Sequence, residues 1–290
     1  MQHNYDLALP SYAKINLGLK VLAQRPDGYH AIETIFQEIE FHDMLYFRKQ
    51  PGALTLDSDH PALPLDKDNL VYKAIQLLRD HCRCPDRVHV YIQKNIPLGA
   101  GLGGGSSNAA KTLEAMNQLF DLRLSVSELA ELSAKLGSDI SFFHYGGTAL
   151  GTGRGEEIYP LPGVPRFWIL LVNPRIHVSS AWAYKNINLK LTNSHGLINV
   201  FRILKAGHIT DFPFRALSND LEGPVMERYP IVRSIKKQLC EAGAEWAMMS
   251  GSGSTVFGIF YKKEFAENAL QQLQNPDWMT CLTRMRSGNP

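Results

Sequence analysis

The chain has 290 residues, of which 44% are hydrophobic and 20% charged, and its 30 Lys+Arg against 28 Asp+Glu leave a formal charge of +2. This balance excludes general disorder, which needs fewer apolar residues and a larger net charge. It also gives no support to a nucleic-acid or anionic-membrane partner.

Apolar runs such as 167–172 fall far short of the roughly 20 residues a membrane span requires. The first residues, Met1 to Asp6, have no basic and then apolar signal pattern, so a cytoplasmic protein is expected. Cys82, Cys84, Cys240 and Cys281 are scattered, which predicts free thiols. His81 with Cys82 and Cys84 matches no zinc spacing.

Residues 12–21 alternate: Ala13, Ile15, Leu17, Leu19 and Val21 are apolar, with Lys14, Asn16, Gly18 and Lys20 between them. Period two predicts a strand with one buried face. Arg25-Pro26-Asp27-Gly28 reads as a turn, and a second extended stretch follows over 32–47, antiparallel to the first. Asp68-Asn69 would cap a helix to about Arg79, and 88–92 alternates as another strand. Ala109, Leu113, Met116 and Phe120 share one helical face. Ser125-Val126-Ser127-Glu128 is a capping-box pattern that opens a further helix, with Gly137 as its stop. The glycine-rich 146–155 should bend a strand pair, and 167–172 is a buried strand. Helices are predicted over 219–242 and 264–274, and two strand pieces flank 251–254. Strands and helices mix without a strict βαβ rhythm, so the class is α+β. The domain boundary is placed at Pro160–Gly163, giving 1–162 and 163–290.

Five glycines in the seven residues from Gly99 to Gly105 strip side chains from a turn that leads into a helix. Backbone N–H groups and the helix dipole there favour an anion such as phosphate. Ser106 and Ser107 add hydroxyls. The loop lacks the Gly-Lys-Ser/Thr ending of a Walker A motif. Gly99, Gly101 and Gly104 fit G-x-G-x-x-G, but Lys94 to Leu98 separates them from the preceding strand, against a Rossmann site.

The stretch Pro97, Leu98, Gly99, Ala100, Gly101, Leu102, Gly103, Gly104, Gly105, Ser106, Ser107, Asn108 resembles the ATP-binding motif of the GHMP kinases. Three further stretches resemble one branch of that superfamily, the kinases of a cytidylylated methylerythritol. They are Ala13–Leu17, Arg25–His30 and Gly137–Phe143. Ser250–Ser254 resembles the superfamily's third motif. The likeness covers most of 10–160 and about 215–260, while 175–215 is not aligned.

The resemblance implies a two-lobed fold: an N-terminal lobe like ribosomal protein S5 domain 2, and a ferredoxin-like C-terminal lobe. It implies transfer of the ATP γ-phosphoryl group to the 2-hydroxyl of the methylerythritol unit, a step of the non-mevalonate isoprenoid route, with Mg²⁺ beside ATP. Lys14 and Asp139 match the catalytic pair. An aspartate is far less basic than an alkoxide, so Asp139 would orient the hydroxyl and collect its proton late. Asn16 shares the strand face of Lys14 and is either a site residue or a solvated one. Tyr29 and His30 would hold the substrate, or else form a packed pair beside the turn. Lys94 and Asn69 are nucleotide contacts, or an exposed Lys and a helix cap. The protein ligands of Mg²⁺ are not assigned; Ser106 and Ser107 come first. A monomer or homodimer acting on a small molecule is expected. The competing readings are another GHMP kinase and a nucleotide-binding module without catalysis.

Overall fold

The computed structural model describes residues 5–162, 164–187, 197, 200 and 214–287. Its elements run β1 Leu7–Gln24, β2 His30–Lys49, β3 Thr55–Ser58, α1 Leu70–Cys82, β4 Val88–Gln93, α2 Gly104–Leu119, α3 Val126–Ser133 and α4 Phe142–Tyr145. There follow β5 Thr148–Thr152, β6 Glu157–Pro160, β7 Trp168–Asn173, α5 Ser180–Lys185, α6 Glu222–Arg228, α7 Pro230–Glu241, β8 Trp246–Met249, β9 Val256–Phe260, α8 Lys263–Gln272 and β10 Met279–Arg284.

Chain contacts group these into two compact units that interleave along the sequence. Unit 1 takes residues 1–13, 42–98 and 103–145; unit 2 takes 14–41, 99–102 and the chain from 146 onward. The long strands β1 and β2, which pair with each other, contribute a stretch to each unit.

In unit 1, β4 is antiparallel to the second half of β2, and the short β3 is parallel to β4. The alternation in β4 is clean, with Val88, Val90 and Ile92 buried between half-buried His89, Tyr91 and Gln93. Asn69 caps α1 as its sequence position predicts, its side-chain oxygen accepting from the Val71 N–H. The capping box at Ser125 and Glu128 is also present at the start of α3. That helix ends at Ser133, earlier than the Gly137 stop expected from sequence. Ser133 Oγ bonds back to the Ala130 carbonyl oxygen at 2.8 Å, and Ser141 Oγ reaches the same oxygen at 2.9 Å. The chain then turns through Asp139 into α4. Helix α2 packs on α1, α3 and α4.

In unit 2, the first half of β2 pairs antiparallel with β5, which forms a hairpin with β6. The rest builds a four-stranded sheet in the order β10-β7-β9-β8, with every neighbouring pair antiparallel. Its β-α-β-β-α-β run is the ferredoxin-like pattern expected of the C-terminal lobe. Its core includes Leu170, Val172, Val232, Ile235, Leu239, Met249 and Val256, joined by Leu19 and Val21 of β1 and Ile32 of β2. The helical segment expected over 219–242 is two helices, because Pro230 opens α7 and cannot continue α6.

A further expectation is corrected. Strand β1 is buried on both faces where one was predicted: Lys14 is 3%, Asn16 2% and Lys20 7% exposed. Lys20 is neutralised by Asp220 at 2.9 Å, and Lys14 and Asn16 bond to each other. Among the described residues no helix is long and apolar enough to cross a membrane.

Candidate active site

The glycine run bends through left-handed backbone at Gly99, Gly101 and Gly103, with φ of +60°, +78° and +69°. Gly103 is the N-cap of α2, and no side chain caps that helix. Its first N–H groups therefore keep donors for an anion, reinforced by the helix dipole. Gly101 is required by space as well as by conformation. A Cβ there would run into the Ser250 carbonyl oxygen and lie 3.0 Å from that of Gly253. Gly105 is exposed, and a Cβ there meets only ordinary contact, 3.6 Å from Leu70 Cδ1.

The two serines at the start of α2 differ. Ser107 is fully buried, its hydroxyl 2.7 Å from that of Ser11. Ser11 also bonds Asn108 Oδ1 at 2.7 Å. Ser106 is half-buried and is the hydroxyl better placed to meet a ligand. Ser11 was not singled out in the sequence; nothing in its neighbourhood marks a partner 96 residues away.

Within unit 2, Lys14 Nζ donates to Asn16 Oδ1 at 2.7 Å and to the Gly101 carbonyl oxygen at 3.2 Å. The Lys14 N–H also donates to the Leu102 carbonyl oxygen at 3.0 Å. The orientation of Asn16 is set by a relay: its Nδ2 donates to Thr34 Oγ1, which donates to the Gly18 carbonyl oxygen, each at 2.7 Å. Thr34 thus turns the amide so that its oxygen faces the ammonium. The third motif closes on the same place. Ser250 Oγ donates to the Gly101 carbonyl oxygen at 2.9 Å, and a Cβ at Gly251 would lie 3.3 Å from both Lys14 Nζ and Asn16 Oδ1. So Lys14, Asn16, residues 99–102 and the third motif are brought together.

Tyr29 and His30 face different surroundings. Tyr29 is 56% exposed, with the Arg154 guanidinium 5.0 Å from its ring centre. Arg154 is itself held by Glu156 at 3.0 Å. Asp27 accepts from the Tyr29 N–H at 3.1 Å, fixing the turn. Desolvation tends to raise the Asp27 carboxyl, but that bond and Arg25 outweigh it and hold the group below the usual range. His30 stacks on Tyr184, centroids 5.5 Å apart and planes at 21°. Tyr184 lies in a stretch without clear sequence patterning, and Arg154 lies in the glycine-rich 146–155, where the pattern marks a bend and not a ligand contact.

Asp139 belongs to unit 1. It is half-buried in the turn between α3 and α4, and the next residues, Ile140, Ser141, Phe142 and Phe143, anchor that turn at 2% exposure or less. Asn69 has the capping role that is one of its two readings, whereas the exposed Lys94 of the plainer reading is corrected, because its side chain is buried. Lys94 Nζ lies 2.7 Å from Asp43. Burial lowers the Lys94 ammonium below its usual range although Asp43 opposes the shift. Among the described residues no group of three His, Cys, Asp or Glu side chains converges to hold a metal. The chemistry on offer is an anion cradle, an ammonium tied to it, and an aromatic and cationic surface formed by Tyr29, His30, Tyr184 and Arg154.

Comparison with known proteins bears on the family and the fold. Residues 69–147 match the GHMP kinases N terminal domain, and residues 211–276 match the GHMP kinases C terminal domain. A 4-diphosphocytidyl-2-C-methyl-D-erythritol kinase of Thermodesulfovibrio yellowstonii is 43% identical over 91% of this chain and 93% of that protein. The kinase of the same name from Geobacillus kaustophilus is 43% identical over 87% of this chain and 88% of its own length. A crystal structure of 4-(cytidine 5'-diphospho)-2C-methyl-D-erythritol kinase superposes with a TM-score of 0.81 at 29% identity, covering 97% of this chain and all of that one. A homoserine kinase from Cytophaga hutchinsonii, 18% identical with a TM-score of 0.71 over 99% of this chain and 98% of its own, shares the fold. With likeness to such kinases running over nine-tenths of its length, the chain belongs to the 4-diphosphocytidyl-2-C-methyl-D-erythritol kinase family of GHMP kinases.

Proposed function

We propose that the protein transfers the γ-phosphoryl group of ATP to the 2-hydroxyl of 4-diphosphocytidyl-2-C-methyl-D-erythritol. The observation that carries this reading is the union of Lys14, Asn16, Gly101 and the 250–254 loop, in a chain whose relatives bear that enzyme's name. Residues 97–107 form the ATP phosphate site, in which backbone N–H groups between Pro97 and Ser107 take the phosphates. Lys14, anchored by Asn16 and Gly101, offsets the charge that develops on the transferred group.

Asp139 orients the 2-hydroxyl and accepts its proton as the new P–O bond forms, while the β–γ bridging bond breaks and ADP leaves. Tyr29 stacks on the cytosine and His30 hydrogen-bonds to it, with Tyr184 backing the His30 ring. Mg²⁺, when bound with ATP, neutralises phosphate charge, and the half-buried Ser106 hydroxyl fits an ion that keeps most of its ligands from phosphate and water. We retain 1–162 and 163–290 as the two lobes of the family fold; the two family matches fall one on each side of that boundary. The reaction is placed in the cytoplasm, on a small molecule, in a monomer or homodimer.

Phosphorus-31 and carbon-13 NMR of the reaction mixture test the chemistry. One new phosphomonoester coupled to C2 of the erythritol unit, formed in step with ADP, is expected. Phosphate on another hydroxyl, or ATP hydrolysis alone, would contradict the assignment.

A further inference from the structure

From Pro97 to Asn108 the glycine loop contains no Lys or Arg. Backbone N–H groups alone would face a nucleoside polyphosphate there, so charge and further donors must come from other segments. Lys14 is one source, through its bond to the Gly101 carbonyl oxygen. His177, in the segment after β7, is a second side chain set against the loop.

The imidazole of His177 lies directly over Gly99. A Cβ at Gly99 would collide with His177 Nδ1 and sit 2.7 Å from Cε1, so the nitrogen-bearing edge of the ring faces the loop backbone. Only glycine at 99 admits the ring in that place. The ring is nonetheless exposed to solvent, as a ligand contact must be.

Its position is fixed from both sides. Asn173 Nδ2 donates to Thr255 Oγ1 at 2.9 Å, Ser254 Oγ donates to the Ile176 carbonyl oxygen at 2.6 Å, and the hydroxyls of Ser180 and Ser252 are 2.8 Å apart. Val178, the next residue, is 2% exposed. The 250–255 loop in turn holds residues 99–102, through Ser250 Oγ to Gly101 and the Thr255 N–H to the Ala100 carbonyl oxygen at 3.3 Å. Three segments of unit 2 thus converge, and His177 is an ionisable side chain that they hold against Gly99 of the glycine loop.

We propose that His177 is a phosphate-binding residue, its imidazole donating an N–H to the nucleoside polyphosphate held on the glycine loop. This rests on the reading of residues 97–107 as the ATP phosphate site. A ring pressed on Gly99 also steadies the loop, so the test must separate a contact to phosphate from packing.

Calorimetric titration of the full-length protein with ADP and with adenosine makes that separation when the donor-keeping His177→Gln is set beside the donor-free His177→Leu. The parent should bind ADP more tightly than adenosine. His177→Ala should lose about tenfold or more on ADP, the scale of a hydrogen bond to a charged group, and leave adenosine unchanged. His177→Gln, which keeps a neutral donor, should alone recover part of that loss; equal recovery by His177→Leu would assign the effect to packing and overturn the proposal. In turnover, KM for ATP should rise and KM for the alcohol substrate should not. Equal weakening of ADP and adenosine, or unchanged ADP affinity in His177→Ala, overturns the assignment while the phosphate-loop reading stands. A parent that shows no preference for ADP over adenosine overturns the loop reading itself, and the assignment with it.

Discussion

Lys14 and Asp139 are held in different ways, and the difference shapes what their removal should do. Lys14 is buried on β1 and tied to Asn16 and Gly101, so its loss disturbs the loop as well as the charge. Asp139 sits half-buried in a turn whose anchors are its neighbours. Asp139→Asn should therefore leave ATP affinity intact while turnover falls by roughly 10²–10⁴, the span for losing an acid–base group. Steady-state kinetics beside ATP titration checks this, and normal turnover would remove Asp139 from the mechanism. His30→Ala should raise KM for the cytidylylated substrate more than for ATP; the reverse pattern would place His30 at the nucleotide. Lys14, Asn16 and Asp139 are singled out by the sequence because each lies in a short motif, and the structure brings the first two together. Thr34, which aims Asn16, is not singled out, because strand pairing and not sequence spacing brings it there.

At the scale of elements, one buried and one half-buried charge arrangement in unit 1 carry stability predictions. Lys94 and Asp43 are 1% and 0% exposed in their side chains, and Asp43 also accepts the N–H groups of Asn95 and Ile96 at 2.7 and 2.8 Å. Asp43→Asn should cost about 3–5 kcal/mol, because it leaves a buried ammonium uncompensated. Denaturant unfolding measures it, and a loss under about 1 kcal/mol would mean that Lys94 reaches water.

Glu114 of α2 is the second case. Burial pushes its carboxyl up, but the His144 hydrogen bond at 3.1 Å and the Lys111 ammonium outweigh burial and hold it below the usual range. A carboxyl lowered in the fold stabilises above its unfolded pKa, about 4.3, and that contribution is lost as pH falls through the folded value. Glu114→Gln should thus be less stable than the parent at pH 7, by about 1.5–3 kcal/mol for a charged hydrogen bond. The gap should close toward pH 3. A gap that persists in acid would assign the loss to packing.

Elements with strong local signals were readable in the sequence: the Asn69 cap, the Ser125 capping box, and the alternation of β4. Strands β3 and β10 were not picked out. β3 has four residues and alternates only between exposed and half-buried, and five of the six residues of β10 are half-buried, so neither shows a contrast between faces. Burial of both faces of β1 was hidden as well, because Lys14 and Lys20 read as solvent-facing until Asn16 and Asp220 are placed beside them.

For the whole molecule, the two compact units interleave along the sequence, so they do not coincide with the two lobes divided at residue 162. The core of the ferredoxin-like sheet includes Leu19, Val21 and Ile32, which precede the sheet by more than a hundred residues. The connection is reinforced by the Leu19–Asn219 bridge, and Asp220 bonds both Lys20 Nζ and the Val21 N–H. A fragment spanning 163–290 would lose those three apolar side chains from its core. It should melt without a cooperative transition, or at markedly lower temperature than the full chain; a full-strength cooperative transition by circular dichroism would contradict this. The fold class and both lobes were expected from the sequence, because the family motifs fall in each half. The exchange of β1 into the second unit was not, since it depends on contacts between distant segments.

The central claim is phosphoryl transfer to a cytidylylated alcohol, and ADP release with Mg·ATP tests it most directly. The acceptors to compare are 4-diphosphocytidyl-2-C-methyl-D-erythritol, mevalonate, homoserine and galactose. Turnover on the first alone is the result expected. Turnover on another of the four, with none on the first, would leave the phosphate loop, Lys14 and Asp139 in place but contradict the roles given to Tyr29 and His30.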